Sequence, residues 1–547
     1  MINIRQLKSN LNMWSFLSFI FVLLIILPTI NIFISILGSP SEYWQHIKEY
    51  LLKDYIINTM KLVGFGGVFT MIIGTSLAWL VTAFRFPLRD FFKWALILPL
   101  AVPPYIAAFT YHGLLNYTGL IQTYLRNSLD ITVNQKYFNI MSTQGAIFIF
   151  TMVLFPYVFA IVRAFLEKQS ADLIENARVL GRSPWEIFIT VVLPISRAAI
   201  IGGVSLVALE ILNDYGLVQY FGITTFSVAI FRTWFGLGDL DSAVRLAAIL
   251  MALVLGILLL EKIIRGRKRF SYTTTKVRPI SPIQLKGIKS LLAFGYCFII
   301  FSFGFLIPTS QLGYWAFLTY QKIFNSKFLG YMLNSVLVAA IAALFIITIA
   351  LIIANYCRIK ENLFTKAYGK ITVLGYSIPG AVIAIAVIVS FIKIDNTFHG
   401  VYQTISPNSG KLILTTSIAM LIFAYVIRFL AIGYNSIESG FEKVGKSFFE
   451  ASRMLGMNVT ETFFKVDIQM IKPAIITGFI LVFVDILKEL PLTMILRPFN
   501  FHTLATMAYQ YANNEMIHEA AIASLIIIFT SAVLVYFLNR VLVKEGN

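Results

Sequence analysis

A polar segment in the first half of the chain has the sequence Glu175-Asn-Ala-Arg-Val-Leu-Gly-Arg-Ser-Pro-Trp-Glu-Ile-Phe188. A related segment lies in the second half, Glu450-Ala-Ser-Arg-Met-Leu-Gly-Met-Asn-Val-Thr-Glu-Thr-Phe463. Adding 275 to each position of the first copy pairs both glutamates, Arg178 and Gly181 with identical residues of the second copy, without a gap. Because this offset is close to half of the chain length, the simplest interpretation is two tandem, equivalent halves that each present one such segment.

The composition excludes a water-soluble fold. Hydrophobic residues make up 58% of the chain and charged residues only 13%, which is typical of an integral membrane protein. The net charge of +18 does not indicate a nucleic-acid partner, because the basic residues lie in short loops between apolar runs. The two cysteines, Cys297 and Cys357, are far apart in sequence and indicate neither a disulfide framework nor a metal cluster.

The apolar runs predict an all-α fold of about twelve transmembrane helices, arranged as two tandem six-helix repeats. The first run follows a short basic N-terminus and is too long for a signal-peptide core, so we expect an uncleaved span. We predict a first repeat at 1–265, a basic linker at 266–289 and a second repeat at 290–547. The predicted spans are 14–37, 59–83, 94–115, 146–165, 198–212, 244–264, 291–308, 333–356, 371–392, 412–432, 474–487 and 520–538.

Basic residues predict the orientation of the chain. They cluster in the loop at 85–93, in the linker and in the equivalent second-half loop at 358–370, all on the side of the N-terminus. Lysine and arginine are enriched in cytoplasmic loops, so both termini and both polar segments are predicted to be cytoplasmic. An even number of spans per half gives the two halves the same orientation in the lipid bilayer.

Each polar segment predicts a compact elbow at the membrane surface. Glycine tolerates the backbone turn that ends a helix, so a short helix should end at Gly181 or Gly456, and a second helix should run into the membrane. The residues before each glycine, Val179-Leu180 and Met454-Leu455, leave an apolar edge on which a partner could bind. The alternative is an amphipathic interfacial helix without a partner.

The pattern Glu-x-Ala-x-x-x-Gly, followed by Leu193-Pro194, resembles the "EAA" loop of ABC importer permeases. The second copy departs from it, with Ile468-Gln469 in place of Leu-Pro. The resemblance implies that the loops at about 170–197 and 436–472 dock on a cytoplasmic ATPase. The residues it assigns to this coupling are Glu175, Ala177, Arg178, Gly181, Glu450, Ala451, Arg453 and Gly456.

Over nearly its whole length the chain is similar to the iron(III) ABC transporter permeases, notably in Asn213-Asp-Tyr-Gly-Leu-Val-Gln-Tyr-Phe-Gly222 and Lys488-Glu-Leu-Pro-Leu-Thr-Met-Ile-Leu-Arg-Pro498. That resemblance implies the type I ABC importer permease fold in a bacterial inner membrane. It also implies two copies of an ATPase subunit that binds the ATP, and a periplasmic or extracellular substrate-binding protein. On this interpretation the chain binds no cofactor and is not an enzyme. Fused importers of thiamine or aminoethylphosphonate would share most of these features.

Two pairs of acidic residues follow the elbows, and the same offset pairs Glu210 with Asp485 and Asp214 with Glu489. A spacing of four positions predicts that both carboxylates of a pair lie on one helical face. A charge within a span is unfavourable by about 2.5 to 3.5 kcal/mol at the bilayer centre, so these groups should face a bundle interior or water. They are candidates for the translocation pathway. The alternative is a structural network in which Lys488 neutralises Asp485 or Glu489.

Other classes of protein remain as alternatives. A secondary transporter with six-helix repeats would share the layout, and its transport would survive loss of the ATPase. A polytopic enzyme is disfavoured because no long outward loop bears a compact catalytic set. The sequence Gly440-Phe-Glu-Lys-Val-Gly-Lys-Ser447 satisfies the phosphate-loop pattern, but it follows a predicted span and not a strand. The five histidines form no close metal-ligand pair, which leaves any metal site undetermined.

Overall fold

The computed structural model describes residues 13–131, 133–168, 172–265, 280–360, 362–405 and 411–545. These residues are almost entirely helical, and their only sheet is a parallel pair of very short strands, β1 (Phe84–Arg85) and β2 (Ile283–Gln284). Strand β2 belongs to the end of the predicted linker, whose residues 266–279 lie outside the described ranges.

The helices of the first half begin with a long apolar span. Single π-helical turns lie at Ile47–Leu51 and Phe188–Val192, and short 3₁₀ turns at Leu98–Ala101 and Gln135–Tyr137. The helices are α1 (Met13–Ile36), α2 (Glu42–His46), α3 (Leu52–Ala83), α4 (Arg89–Ala95), α5 (Pro104–Leu115), α6 (Leu120–Leu129), α7 (Thr143–Lys168), α8 (Asp172–Val179), α9 (Pro184–Ile187), α10 (Leu193–Asn213), α11 (Gly216–Tyr220), α12 (Phe226–Leu237) and α13 (Leu240–Arg265).

The second half repeats this order, with π-helical turns at Ser302–Leu306 and Phe463–Asp467. Its helices are α14 (Ile288–Phe301), α15 (Ile307–Ile323), α16 (Ser326–Ile359), α17 (Leu363–Ser377), α18 (Gly380–Ile405), α19 (Ile418–Val444), α20 (Ser447–Met454), α21 (Val459–Thr462), α22 (Ile468–Leu487), α23 (Pro491–Leu496), α24 (Leu504–Asn513) and α25 (Ala521–Glu545).

The number of spans agrees closely with the prediction. By length and composition, ten helical segments among the described residues could cross a membrane, or eleven if a bent pair counts as one span. The twelfth predicted segment is the helix α25, whose apolar portion Ala521–Phe537 is shorter than the others. The all-α membrane fold is therefore confirmed.

The third predicted span of each half is broken, which the sequence interpretation missed. In the first half the two segments Arg89–Ala101 and Pro104–Leu129 meet at an angle of 91°. In the second half α17 ends before Pro379 and α18 begins after it. Proline lacks the backbone N–H of a helical hydrogen bond and disfavours helical geometry in the residue before it. Pro103 and Pro379, which an offset of 276 pairs, lie at both breaks.

One predicted loop is a helix instead. The second half carries seven more residues than the first before its elbow, and the loop predicted at about 436–472 begins with these polar residues, around 436–446. Helix α19 continues through them to Val444. Ile437 and Phe441, one helical turn apart, are both buried, so this extension keeps one apolar face on the protein although its other face is polar.

The compact units do not follow the order of the sequence. Unit 1 comprises Met1–Gln45, Ile230–Met251 and Ser326–Thr506, and unit 2 comprises His46–Ala229, Ala252–Asn325 and Met507–Asn547. Within unit 1, α1 packs on α16, α17 and α18 of the second half. Within unit 2, α15 packs on α5 of the first half. The first span of each half, which in the second half comprises α14 and α15, thus packs with helices of the other half, and the predicted repeat boundaries remain a prediction.

Glycines allow the closest helix contacts of unit 2, where α3, α7 and α10 pack together. A Cβ atom on Gly74 would lie 2.7 Å from Cβ of Val158, and one on Gly203 would lie 2.8 Å from Cα of the same valine. The equivalent glycine in unit 1, Gly478, approaches Ser436 of α19, where a Cβ atom would lie 3.0 Å from Cβ of Ser436. Small residues therefore set the spacing of the three central helices in each unit.

We predict that Gly203→Val destabilises the folded protein, whereas Gly202→Val does not. The new side chain at 203 would collide with backbone of α7, and overpacking of this kind is unfavourable by about 1–3 kcal/mol. Position 202 has open space around it, and the equivalent residue of the second half is Thr477. Thermal unfolding in detergent should show a lower midpoint for Gly203→Val alone. Equal midpoints for both variants would contradict the packing described here.

Candidate functional site

The first elbow joins α8 to α10 through a sharp turn at Gly181, whose φ of +78° is a left-handed conformation that favours glycine. The N–H of Gly181 donates to the carbonyl of Arg178 and the N–H of Arg182 to that of Ala177, which together form a Schellman ending. The next helix begins with a capping box, in which the N–H of Ser183 donates to Oε2 of Glu186 at 2.8 Å and the N–H of Glu186 donates to Oγ of Ser183.

The second elbow repeats this geometry at the equivalent positions of the second half. Gly456 has φ +87°, and the N–H of Met457 donates to the carbonyl of Ser452 in the same Schellman pattern. Asn458 and Glu461 form the capping box, with both hydrogen bonds at 2.9 Å. A π-helical turn follows in both copies, so the second elbow keeps the fold although Ile468-Gln469 replaces Leu193-Pro194.

Both elbows expose a pair of large apolar side chains immediately before the glycine. Val179 and Leu180 are 86% and 79% exposed, and Met454 and Leu455 are 89% and 80% exposed. Large apolar side chains exposed on a rigid turn at equivalent positions are typical of an interaction surface. The predicted apolar edge is therefore present in each half.

The predicted coupling residues differ in their surroundings. Ala177 is buried, and the residue that occupies its place in the second elbow is Ser452, whose Oγ lies 3.0 Å from Oγ1 of Thr462. Ala451, which we selected from the sequence motif, is exposed. Arg453 donates to the carbonyl of Met457 within its own elbow. In the second elbow the position equivalent to Ala177 is therefore occupied by Ser452, one residue after the Ala451 of the motif.

The end of the linker anchors the first elbow. Nη1 of Arg178 donates to the carbonyl of Ser281 at 2.9 Å, and the hydroxyl of Ser281 donates to Oε1 of Glu175 at 3.1 Å. Burial lowers the pKa of Arg178 below its ordinary value, and the carboxylate of Glu175 opposes that shift. A cavity of about 220 Å³ lies beside these contacts, with Trp79 and Ile283 in its lining. The linker therefore helps to fix the position of this elbow within unit 2.

A buried ion pair anchors the second elbow in unit 1. Nη2 of Arg358, at the end of α16, lies 2.5 Å from Oδ2 of Asp467, which ends the π-helical turn. The same guanidinium lies over the rings of Phe441 and Phe449, at 4.2 and 5.1 Å from their centroids. Phe449 belongs to α20, so one arginine holds the elbow helix, the following turn and the end of α19 together.

The acidic pair of unit 2 lies where α10 ends. The hydroxyl of Tyr157 donates to Oε1 of Glu210 at 3.3 Å. Oδ1 of Asp214 accepts hydrogen bonds from the N–H groups of Leu217 and Val218, at 3.0 and 3.3 Å, and so caps α11. Helix α10 ends at Asn213, and Asp214 is its C-terminal cap, with its N–H donating to the carbonyl of Glu210 at 3.0 Å. The shared helical face of the two carboxylates stays a prediction.

The acidic pair of unit 1 is equivalent but carries ion pairs. Oε1 of Glu489 accepts from the N–H of Leu492 at 3.0 Å, and residue 492 is the counterpart of 217 in the repeat. Nζ of Lys488 lies 2.7 Å from Oδ1 of Asp485, as the alternative interpretation expected. Here too the helix ends, at Leu487, before the second carboxylate.

The sequence interpretation missed Arg428, which lies on α19. It is 7% exposed, and its Nε lies 3.3 Å from Oε2 of Glu489. A Cβ atom on Gly380 would lie 2.5 Å from Nη1 of Arg428, so the guanidinium packs closely against the start of α18. The signal was a single basic residue inside an apolar run, where a charge is expected to be functional or paired. Its counterpart in the first half, counted from Tyr157 and Tyr425, is Ala160.

The histidines and the phosphate-loop sequence have surroundings that a structural role explains. Among the described residues, no group of three or more histidine, cysteine, aspartate or glutamate side chains is placed to hold a metal ion. His112 lies 2.7 Å from the hydroxyl of Tyr220, and the ring of His518 stacks beside Trp315. The phosphate-loop sequence begins within α19, so a helix precedes it instead of the strand that a nucleotide site needs.

Comparison with known proteins gives relatives along most of the chain. The Fe(3+)-transport system permease protein FbpB 2 of Haemophilus influenzae is 25% identical over 493 residues, which are 89% of this chain and 90% of that protein. The ferric transport system permease protein FbpB of Actinobacillus pleuropneumoniae is 23% identical and covers 84% of this chain and 68% of its own length. The sulfate transport system permease protein CysT of Escherichia coli is 28% identical over 37% of this chain and 72% of its own length.

One family profile matches the chain twice, at residues 66–261 and 346–545. These two matches contain both elbows and both acidic pairs, and they lie in the two halves that the repeat had indicated. The matched regions together cover well over half of the sequence. The chain therefore belongs to the family of binding-protein-dependent transport system inner membrane components, and it is a fused, two-repeat permease that crosses the inner membrane several times.

Proposed function

We propose that this permease imports ferric iron, driven by ATP that a separate subunit binds and hydrolyses. The observation that carries the choice of cargo is the similarity to ferric permeases along nearly the whole chain, through both halves, whereas the sulfate permease matches little more than a third of it. A binding-protein-dependent system also needs a carrier on its outer face. We assign that role to a soluble protein that delivers the iron.

Uptake of radiolabelled iron into cells with and without this chain tests the cargo. Thiamine and sulfate uptake in the same cells are the controls, since one is an organic cation and the other is an oxyanion. We expect only iron uptake to depend on the chain. If thiamine or sulfate uptake depends on the chain and iron uptake does not, iron is not the cargo, but the chain is still a permease.

We infer that the two elbows are the docking surfaces for the ATPase. Each offers an exposed apolar pair on a turn that a Schellman ending and a capping box hold rigid. Two such surfaces fit two copies of the ATPase subunit. Ser281 anchors the first elbow and Arg358 anchors the second. Through these contacts, a movement of the docked ATPase subunit would be transmitted to the spans of each unit.

Gly181→Pro and Gly456→Pro, made separately, should each uncouple ATP hydrolysis from transport while the protein remains in the membrane. Proline fixes φ near −65° and cannot adopt the left-handed turn that both glycines occupy. Gly238→Pro is the matched control, because Gly238 has φ +66° but lies between α12 and α13, away from the elbows. Uptake and co-purification of the ATPase measure the effect, and normal values for both elbow variants would exclude this coupling role.

Leu180→Ser and Leu455→Ser test the docking surface without changing the turn. Burying a leucine side chain at an interface contributes about 1.5–3 kcal/mol, so each variant should weaken ATPase binding by roughly tenfold or more. Leu129→Ser, at an exposed leucine that ends α6, is the control. Titration of the purified permease with its ATPase gives the affinities. Unchanged affinity in both elbow variants would place the docking surface elsewhere.

We propose that Glu210 and Asp485 line the path of the ion. Ferric iron is a hard cation that prefers oxygen ligands, and a carboxylate within a span lowers the barrier for a cation in a layer of low dielectric. Asp214 and Glu489 cap short helices, and we assign them a smaller share of the pathway role for that reason. Lys488 and Arg428 offset the charge of unit 1, which limits how tightly it could retain the ion.

Glu210→Gln combined with Asp485→Asn should abolish iron uptake while expression and ATPase association persist, and each single change should cause a partial loss. For a single change, a roughly tenfold lower rate of iron uptake corresponds to a transport barrier that is higher by about 1.4 kcal/mol. Asp90→Asn, at an exposed residue of α4, is the control. Normal iron uptake by the double variant would make these two carboxylates structural.

A further inference from the structure

A cavity of about 710 Å³ lies in unit 1, between α17 and the neighbouring helices α16 and α19. One face of α17 forms most of its wall, from Thr365 through Gly369 to Ser377. Gly369 lies opposite Tyr434 of α19, where a Cβ atom would be 2.8 Å from the tyrosine oxygen. The cavity adjoins Cys357, the residue before Arg358, so it is next to the ion pair that anchors the second elbow.

The charges in this cavity favour an anion. Lys366 and Lys370 both line it, lie one helical turn apart and are exposed. Within the described ranges neither lysine forms an ion pair. Glu438 also lines the cavity, and its Oε1 accepts the hydroxyl of Tyr434 at 3.0 Å. Two such ammonium groups in a concave site are suited to a phosphate group.

Part of the remaining lining is apolar, which indicates a lipid. Val373 and Leu374 follow Lys370 along the same face of α17, toward the break at Pro379 in the predicted third span. Leu363 and Phe364, at the start of the helix, are 85% and 69% exposed. A basic end followed by an apolar groove matches a phospholipid, with the headgroup phosphate at the lysines and an acyl chain beside Leu374.

We propose that this cavity binds an anionic phospholipid of the cytoplasmic leaflet, with its phosphate on Lys366 and Lys370. The basic loops predict that this side is cytoplasmic. The site is specific to the second half, because at the offset of 276 the counterparts of the two lysines are Asp90 and Trp94. A lipid held there would brace α17 against α19, beside the anchor of the second elbow.

Binding to the purified full-length chain tests this site. Native mass spectrometry measures the affinity for phosphatidylglycerol, with phosphatidylcholine as the neutral lipid and inorganic phosphate as the soluble competitor. A basic residue near an anionic lipid surface contributes about 1 kcal/mol, so Lys366→Gln with Lys370→Gln should weaken phosphatidylglycerol binding roughly 30-fold. Lys366→Arg with Lys370→Arg should retain it.

The matched control is Lys286→Gln with Lys289→Gln, which removes the same charge from two exposed lysines at the linker end, on the same predicted side. This variant should bind phosphatidylglycerol as the parent does. Equal loss in both double variants would show general attraction to an anionic surface and overturn the site. Unchanged binding of phosphatidylglycerol in the Lys366–Lys370 variant would also overturn it. If inorganic phosphate displaces phosphatidylglycerol from the parent protein, the site binds a free anion, and the lipid proposal is overturned.

Discussion

The constraint on which this structure depends is the absence of water within the membrane, where each backbone polar group at a broken helix needs a partner inside the protein. In both halves, side chains at equivalent positions provide these hydrogen-bond partners. Asp214 and Glu489 accept from the N–H groups of the next short helix. Asn58 and Asn334 donate to backbone carbonyls just before α12 and α24, at 3.1 and 3.3 Å. The helix breaks at these positions of each unit are possible because these side chains form hydrogen bonds with the backbone groups at the breaks.

This constraint also explains why acidic residues persist at equivalent positions while the surrounding sequence differs. A carboxylate that caps a helix is stabilised by N–H groups and needs no cation to neutralise it fully. Such a group therefore serves the fold directly, as Asp214 does at the start of α11. Glu210 and Asp485 lie inside the last turns of α10 and α22 instead. Substitutions at these two positions are therefore the more direct test of the proposed translocation pathway.

Much of this architecture could be predicted from sequence because it repeats. The constant offset between the halves located both elbows, and glycine at 181 and 456 predicted turns that the positive φ values confirm. The broken third spans could not be recognised by hydropathy alone, since both fragments are apolar. Arg428 was missed for a different reason. Its partner Glu489 is distant in sequence, so no local spacing identifies the pair, and only the folded structure brings the two together, beside Gly380.

Fusion of the halves gives the differences between them a physical meaning. In a permease built from two identical chains, every charge in the membrane would occur twice. Here the buried guanidinium of Arg428 occurs once, and its counterpart is Ala160. Arg428, paired with Glu489, offsets part of the acidic charge of unit 1, and no second positive group stands at the equivalent position of unit 2. The two halves thus differ in charge where their sequences correspond, and the electrostatic field at these positions of unit 1 differs from the field at the equivalent positions of unit 2.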